Sequence, residues 1–426
     1  MKNGFALSTL AALSAITLAA CTSASSSSTG SGTTSDQVST GVITIGAALS
    51  LTGDRAVDGI AFQRGYELWA ADVNAAGGIK VGGIHRKVKL TILDDKSDQN
   101  TVVADYQTLF GKDHVDLAFG PFSTLLTGPA SAVAARFGMA LLEGAGGGPA
   151  VFDTPSNQAD HNVFDVSLPV ADSLVPFVTW IKSLHQPLTA AYPMAQDPFA
   201  DPPVQLAQTE LQALGVTTVY SQQFPELPGP NFSGYKTPAD AVAAAHPDIV
   251  VLGSPDVPTV QVFMQAFEQQ HYTPKMFIAA AGPDQGDAFT SVVGVGNANG
   301  MMVPDGWYPG FDDPVSKHMV QEYVAKYGGT AGGVNADVAE AYAVGQVAEQ
   351  AVVATGGTDN QKIISYLHSG VTLNSVQGKV HFDALGENGA ATAFIFQWQH
   401  GAFHQVLPLG APGSDPITAT KPHWSS

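Results

Sequence analysis

Apolar runs and helical periodicities alternate along the first third of the chain. Residues 42–46 form a short, mainly β-branched run that ends in a glycine, which predicts a buried strand. Phe62, Tyr66, Trp69 and Val73 then recur at the spacing i, i+4, i+7, i+11, which places them on one face of a helix. The alternation continues through predicted strands at 87–93, 115–119 and 139–142 and predicted helices at 101–110 and 129–136. This order is typical of a parallel sheet with helices on both faces.

The alternation restarts after Leu168 and predicts a second unit of similar size. A chain of 426 residues also exceeds the length of ~250–300 residues at which one hydrophobic core stops growing. We therefore predict an α/β fold with two units in tandem. Its predicted helices are 175–184, 204–214, 239–245, 257–268, 314–327 and 336–354, its predicted strands are 188–192, 216–220, 249–252 and 276–280, and antiparallel strands are predicted within 379–408 with turns at 386–389 and Gly401.

The N-terminal segment is apolar and uncharged between Lys2 and the only cysteine of the chain, Cys21. Residues 5–20 are shorter than the ~20 apolar residues that span a bilayer, and they fit the basic start, apolar middle and small-residue end of an export signal. One interpretation is an ordinary signal peptide. The other rests on the sequence Leu-Ala-Ala-Cys at 18–21, which resembles the bacterial lipobox and implies cleavage after residue 20 and a diacylglyceryl group on Cys21. We favour the second, because a lone thiol in an exported protein invites mispairing.

Residues 21–41 are rich in Ser, Thr and Gly and have little to bury. Such a segment is predicted to be a flexible coil that spans roughly 25 Å on average. A diacylated cysteine is sufficient to hold it at a membrane. We expect an exported lipoprotein that faces the periplasm or the outer cell surface, with a folded body beyond the tether and no internal disulfide.

The composition excludes several classes of partner. The formal net charge is −19 and no basic run is present, which argues against nucleic acid and against anionic lipid beyond the anchor. No later stretch is apolar for long enough to cross a membrane. Residues 338–354 come nearest, but Glu340, Gln346 and Glu349 interrupt them, so they predict a buried helix.

Motifs for cofactors, metals and catalysis are weak or incomplete. Residues 144–148 are glycine-rich but lack the Lys-Ser/Thr of a phosphate-binding loop, and 294–296 lack the third glycine of a dinucleotide site. His400 and His404 flank a predicted turn without a third metal ligand at suitable spacing. No Ser-His-Asp arrangement can be placed. We expect no cofactor, no metal and no catalytic residue.

Five motifs follow one another in an order that resembles a known family. They are ITIGAALSLTG at 43–53, VNAAGGI at 73–79, LTILDDKSD at 90–98, DLAFGPFST at 116–124 and GKVHFDALGENG at 378–389. Together they look like the branched-chain-amino-acid-type substrate-binding proteins of bacterial ABC importers. The resemblance covers 42–408.

The resemblance implies a type I periplasmic binding protein fold. Two Rossmann-like lobes with parallel sheets would be joined by a three-strand hinge, and the ligand would be enclosed between them. The first lobe would comprise 42–165 plus 306–377, and the second 168–304 plus 380–408. Residues 409–426 would form a C-terminal tail.

The expected ligand site lies where loops follow the carboxyl ends of parallel strands. Three first-lobe loops qualify, at 53–59, 120–124 and 143–148, and free amides and helix dipoles there favour a carboxylate. Ser123 and Thr124 match the family motif and are the first candidates. The alternative is that they only cap a helix.

Other candidates depart from the family pattern. Gly147 stands where the family usually carries a threonine, so Ala145, Gly146 and Gly147 would offer backbone groups only. The remaining candidates are Asp58, where an aromatic residue is frequent, Phe199, where Tyr is frequent, and Asp284, which would meet an α-ammonium group.

The ligand class remains open between two alternatives. If Asp284 points away from the site, an α-amino ligand becomes unfavourable, because a buried ammonium needs a partner. An amino acid and an amine-free carboxylate, such as an aromatic or short organic acid, are both retained.

Three functions of different classes follow from these observations. The leading hypothesis is a binding module that delivers a solute to an ABC permease and its ATPase. A ligand sensor on the same lobes would require a signalling domain or membrane helix. An exported hydrolase would require an activated nucleophile, and none stands out. We therefore predict a protein that is not an enzyme.

Overall fold

The computed structural model describes residues 41–225 and 233–424. Its strands are β1 (Ile43–Leu49), β2 (Ile79–Val81), β3 (Ile84–Arg86), β4 (Val88–Asp94), β5 (Leu117–Phe119), β6 (Leu141–Glu143), β7 (Val163–Asp165), β8 (Thr189–Ala195), β9 (Thr217–Phe224), β10 (Ile249–Leu252), β11 (Met276–Ala279), β12 (Met301–Asp305), β13 (Leu373–Ser375), β14 (Gly378–Val380), β15 (Phe394–Gln399) and β16 (Ala402–Leu407). Its α-helices are α1 (Ala56–Ala75), α2 (Gln99–Gly111), α3 (Thr124–Phe137), α4 (Pro149–Phe152), α5 (Pro155–Asp160), α6 (Val175–Leu184), α7 (Asp201–Ala213), α8 (Ser233–Ala245), α9 (Val257–Gln269), α10 (Gly286–Val293), α11 (Val295–Ala298), α12 (Pro314–Tyr327), α13 (Ala336–Thr355) and α14 (Asn360–Leu367).

The strands form two large sheets, and each defines a lobe. The first lobe contains a five-stranded parallel sheet in the order β4-β1-β5-β6-β7. The second lobe contains a seven-stranded sheet in the order β16-β15-β12-β11-β10-β8-β9, in which only β15 and β16 run antiparallel to their neighbours. The predicted α/β class with parallel sheets in two lobes is therefore confirmed.

The first-lobe core is centred on the packing of α1 against α13. Phe62, Tyr66 and Trp69 are fully buried on the predicted face of α1. The two helices approach so closely that a Cβ atom on Gly65 would lie 2.4 Å from the Val338 carbonyl oxygen. The residues of α13 at this contact are small, so the backbones of the two helices can approach each other closely.

The second-lobe sheet is covered on both faces, as its alternating side chains require. Phe277 and Ala279 of β11 belong to one apolar cluster, and Met276 and Ile278 to another on the opposite face. Successive strand residues point to opposite sides of a sheet. The near-continuous apolar run in β11 is thus explained by burial of both faces.

The predicted starts of two helices are wrong: α8 begins at Ser233 rather than at residue 239, and α3 begins before Pro129. The sequence predicts a helix that starts at Pro129, because proline favours first helical positions. The structure starts α3 at Thr124, with Pro129 inside it. Ser123 precedes the helix at a φ of 82° and turns the chain into it. The earlier start brings Ser123 to the amino end of a long helix.

The C-terminal residues 409–424 pack on the second lobe. The Lys421 backbone N–H donates to the Lys275 carbonyl oxygen at 2.7 Å, and Trp424 Nε1 donates to the Tyr272 carbonyl oxygen at 2.6 Å. This segment therefore extends the second-lobe structure beyond its last strand.

Two further points concern the predicted membrane relations. The predicted signal peptide, Cys21 and the tether up to residue 40 lie outside the described residues. Within 41–225 and 233–424, no helix has both the length and the apolar character of a membrane span.

Candidate functional site

A cavity lies between the two lobes, at the carboxyl ends of their parallel strands. Its volume is about 100 Å³ and both lobes contribute to its wall. Ligands of open α/β sheets bind at this edge. Six of the eight predicted ligand-binding residues line it, namely Asp58, Ser123, Ala145, Gly147, Phe199 and Asp284.

Thr124 and Gly146 do not reach the cavity wall. The Thr124 hydroxyl donates to the Gly147 carbonyl oxygen at 2.9 Å. A Cβ atom on Gly146 would lie 2.0 Å from Thr127 Oγ1, so this residue is pressed against α3. Both residues hold the 143–148 loop in place behind the wall.

Ser123 has the features of an available hydroxyl. Its side chain does not cap α3, and its Oγ has no hydrogen-bond partner among the described residues. The residue is only 6 % exposed, and it lines the cavity. The alternative of a simple helix cap is therefore disfavoured, since a capping hydroxyl accepts a bond from the first helical turn.

Two of the loop amides expected to meet a carboxylate, those of Ala145 and Gly146, are already engaged. The Ala145 N–H donates to Glu143 Oε2 at 3.0 Å, and the Gly146 N–H donates to the same oxygen. Burial, and next the nearby charge of Asp165, raise the pKa of Glu143 well above its ordinary value. This buried carboxyl group occupies the position at the loop that a ligand carboxylate would need.

Arg55 and Asp197 join the lobes across the cavity. Arg55 precedes α1 in the first lobe, and its Nη2 lies 3.3 Å from Asp197 Oδ2 in the second. Both residues are buried, at 8 % and 4 % exposure. Asp197 also accepts a hydrogen bond from the Phe199 N–H at 2.8 Å, which fixes the loop that carries Phe199.

A second contact across the cavity involves Asp58. Gln285 Nε2, in the second lobe, donates to Asp58 Oδ1. The neighbouring carboxyl groups of Asp58 and Asp337 also interact within the first lobe, and this interaction lowers the pKa of Asp58 and raises that of Asp337. Burial, and next the charge of Asp284, raise the pKa of Asp58 to about 7. Burial raises the pKa of Asp337 well above its ordinary value.

Further acids stand where the chain crosses between the lobes. Asp165 ends β7 and accepts from the Ser167 N–H at 2.9 Å. Asp305 ends β12 and accepts from the Trp307 N–H at 3.1 Å. Burial raises the pKa of each of these two carboxyl groups to about 8. Asp284 accepts from the Gly282 N–H at 2.6 Å, and burial raises its pKa to about 6.

The cavity wall therefore carries seven carboxylic acids and a single basic side chain, Arg55. Sequence reasoning identified only two of these acids. It missed Arg55 although this residue lies in the 53–59 loop, where a basic side chain at a strand end was a usable signal. The other missed residues had no local signal, because they come from distant strand ends and helices: Asp165, Asp197, Asp305, Asp337 and Glu340.

The acidic wall does not have the geometry of a metal site. No group of three or more His, Cys, Asp or Glu in the described part of the chain could hold a metal ion. What the arrangement can do chemically is accept hydrogen bonds from a cation or retain protons on its carboxyl groups.

Family comparison places the chain in a known class. The model of the family described as periplasmic binding protein matches residues 42–402, and the chain belongs to this family. Curated proteins named Leu/Ile/Val-binding protein homolog 1, from Brucella abortus and Brucella suis, are 35% identical over 97 residues, which is 23% of this chain and 25% of each relative. The match thus spans a quarter of the length of these relatives.

Solved structures of low sequence identity share the fold. A leucine-binding protein from Thermotoga maritima has a TM-score of 0.71 at 16% identity, covering 85% of this chain and 97% of its own. A solute-binding protein of an ABC transporter from R. palustris, in complex with benzoate, has a TM-score of 0.70 at 16% identity, with 90% and 100% covered. A branched-chain amino acid transporter substrate-binding protein from Streptococcus pneumoniae, in complex with isoleucine, has a TM-score of 0.69 at 18% identity. The match covers 86% of this chain and 99% of that protein.

Proposed function

We propose that this protein is an extracytoplasmic solute-binding lipoprotein of an ABC importer, which captures a small amine-bearing solute such as an amino acid and delivers it to the permease. The observation that carries the proposal is a cavity walled by both lobes and bridged by two contacts, Arg55–Asp197 and Gln285–Asp58. A site built from two lobes couples ligand capture to their relative motion.

The mechanism is hinge closure. The moving bodies are 42–165 plus 306–377 and 168–304 plus 380–408. A ligand that contacts both lobes binds the closed arrangement more tightly than the open one, so it shifts the population toward closure. The closed surface then docks on the permease, whose ATPase drives transport.

An amine-bearing ligand fits the cavity better than an amine-free carboxylate. An α-amino ligand requires a carboxylate of the second lobe at the site, and Asp284 of that lobe lines the cavity. The loop amides of Ala145 and Gly146 are bonded to Glu143, and Arg55 is paired with Asp197. The benzoate complex of the R. palustris protein keeps an aromatic acid as the second candidate.

A binding role is also favoured over hydrolysis. Ser123 is a buried hydroxyl on the cavity wall, and its Oγ has no hydrogen-bond partner among the described residues. An activated serine requires a general base within hydrogen-bond reach.

Membrane attachment rests on the sequence. Lipidation of Cys21 would place the protein on the outer face of a membrane, in the periplasm or at the cell surface, beside its permease. Mass spectrometry of the mature protein tests this directly. We expect a diacylglyceryl-modified N-terminal Cys21, and an unmodified cysteine would contradict the anchor without affecting the binding role.

Solution scattering and thermal melting of the mature protein test the binding role. The panel comprises L-leucine, L-lysine, cadaverine and benzoate. We expect a smaller radius of gyration and a higher melting temperature with an amine-bearing solute, since a ligand at 100 times its Kd adds about 2.7 kcal/mol to the free energy of unfolding. No response to any small solute would contradict the proposed function.

A further inference from the structure

We propose that the cavity selects solutes with at least two protonated nitrogens, that is, small diamines or basic amino acids, rather than neutral amino acids. This inference rests on the proposed function and specifies the chemistry of its ligand. The cavity itself limits the size of the occupant. Its volume of about 100 Å³ lies below the roughly 300 Å³ at which pockets for drug-sized ligands begin.

The acids of the wall form two groups on different elements. Asp58 and Asp337 stand at the starts of α1 and α13, and each shifts the pKa of the other. Asp165, Asp305 and Glu340 form the second group, in which the charges of the two aspartates raise the pKa of Glu340 more than those of other acids do.

Asp284 links the two groups, because its charge acts on Asp58 as well as on Asp305. A solute with a single ammonium group can neutralise only one of these two groups of acids. The other group would then remain crowded and uncompensated.

Two buried polar atoms point independently to a missing occupant. Asp337 is 8 % exposed and Ser123 is 6 % exposed, and both line the cavity. Asp337 Oδ2 and Ser123 Oγ have no hydrogen-bond partner among the described residues. Buried polar atoms in folded proteins are nearly always partnered. Hydrogen-bond donors from the ligand would satisfy both atoms, since each oxygen can accept a hydrogen bond from an N–H group.

Other occupants fit less well. A divalent metal ion lacks a suitable ligand group in 41–225 and 233–424. A solute with net negative charge would face several acids and one arginine that Asp197 already pairs. A compact dication satisfies both groups of acids.

Binding of such a solute follows a balanced proton exchange. In the ligand-free state, carboxyl groups of the wall retain protons. Each ammonium N–H then donates to a carboxylate, and the displaced carboxyl proton passes to solvent. No bond to carbon forms or breaks, and the solute keeps its own protons.

Calorimetry on the mature protein at pH 7.5 tests the inference with two matched pairs. Cadaverine is compared with pentylamine, and L-lysine with L-norleucine, so that each pair differs by one amino group. We expect the second nitrogen to tighten binding at least tenfold in both pairs. Equal or tighter binding of pentylamine or L-norleucine would overturn the inference. If L-leucine or benzoate alone binds and closes the lobes, the ligand class is wrong and the solute-binding function stands.

Conservative variants identify the acids responsible. Asp305→Asn keeps the side-chain shape and removes one ionisable group. We expect it to weaken the binding of cadaverine at least tenfold and the binding of pentylamine much less. Asp337→Asn provides the same test if Asp305→Asn does not fold. The matched control is Asp312→Asn, at a side chain that is 93 % exposed. An equal loss for cadaverine and pentylamine in both cavity variants would overturn the inference.

Discussion

Gly147 and Asp165 lie in direct contact at the cavity wall. A Cβ atom on Gly147 would lie 2.4 Å from Asp165 Oδ2. A threonine at this position therefore cannot be accommodated while Asp165 holds its place. A carboxyl group at the lobe crossing occupies the space that a side chain at residue 147 would need.

Replacing Gly147 with Thr should destabilise the protein and displace Asp165. Overpacking of a dense site costs roughly 1–3 kcal/mol, and chemical denaturation measures this change in the free energy of unfolding. Adding Asp165→Ala to the same chain should recover part of the loss. Gly357→Thr is the control, because a Cβ atom there meets nothing within 4 Å. Additive effects of the two substitutions would contradict the contact.

Replacing Arg55 with Met should favour the open arrangement. The substitution removes the ion pair with Asp197 and leaves a buried carboxylate without its cation, which costs about 3–5 kcal/mol in comparable buried pairs. We expect weaker solute binding and a larger radius of gyration at a given solute concentration. Lys317→Met, at a side chain that is 58% exposed, should change neither quantity. Unchanged closure in the Arg55 variant would show that the pair does not hold the lobes together.

Replacing Ser123 with Ala should separate binding from stability. The Ser123 hydroxyl has no partner among the described residues, so its removal should leave the free energy of unfolding within about 0.5 kcal/mol of the original. Solute affinity should fall about tenfold if the hydroxyl contacts the ligand.

Ser254→Ala is the matched comparison for stability. Ser254 Oγ donates to the Ala281 carbonyl oxygen at 2.7 Å, so its loss should cost about 1 kcal/mol. Normal affinity in the Ser123 variant, measured by calorimetry, would remove Ser123 from the site.

The ligand-free protein should lose stability as the pH rises from 5 to 8.5. Burial raises the pKa of Asp58 to about 7 and that of Asp165 and Asp305 to about 8, so the folded state binds more protons than the unfolded state above about pH 4. Their stabilising contribution is complete below the unfolded pKa and is lost as the pH passes the folded pKa. Lys421 acts in the opposite direction above pH 7, because burial lowers its pKa to about 7.

Thermal melting across this pH range measures the balance. Because the several acids destabilise the folded state as the pH rises and a single lysine acts against them, we expect the melting temperature to fall by several degrees. Asp305→Asn should flatten the decline, and Lys421→Met should steepen it above pH 7. A melting temperature that rises steadily from pH 5 to 8.5 would contradict the raised pKa values.

The sequence by itself determined most of the longer strands and helices of both lobes. Helix α6 (Val175–Leu184), strand β10 (Ile249–Leu252) and helix α12 (Pro314–Tyr327) lie where the apolar pattern predicts them. This was possible because apolar periodicity over a few turns reports which face of an element is buried. The order of the motifs was sufficient for the family, and the implied site positions included six of the residues that line the cavity.

Only the tertiary structure decided the chemistry of the cavity. Arg55, Asp197, Asp305 and Asp337 are far apart along the chain, and nothing in their local sequence indicates that they meet. It also decided that Glu143 accepts hydrogen bonds from the amides of Ala145 and Gly146, and that Asp165 leaves no room for a side chain at residue 147. Charge, burial and hydrogen bonding of a side chain depend on its neighbours in space, and the folding of distant segments onto one edge of two sheets sets those neighbours.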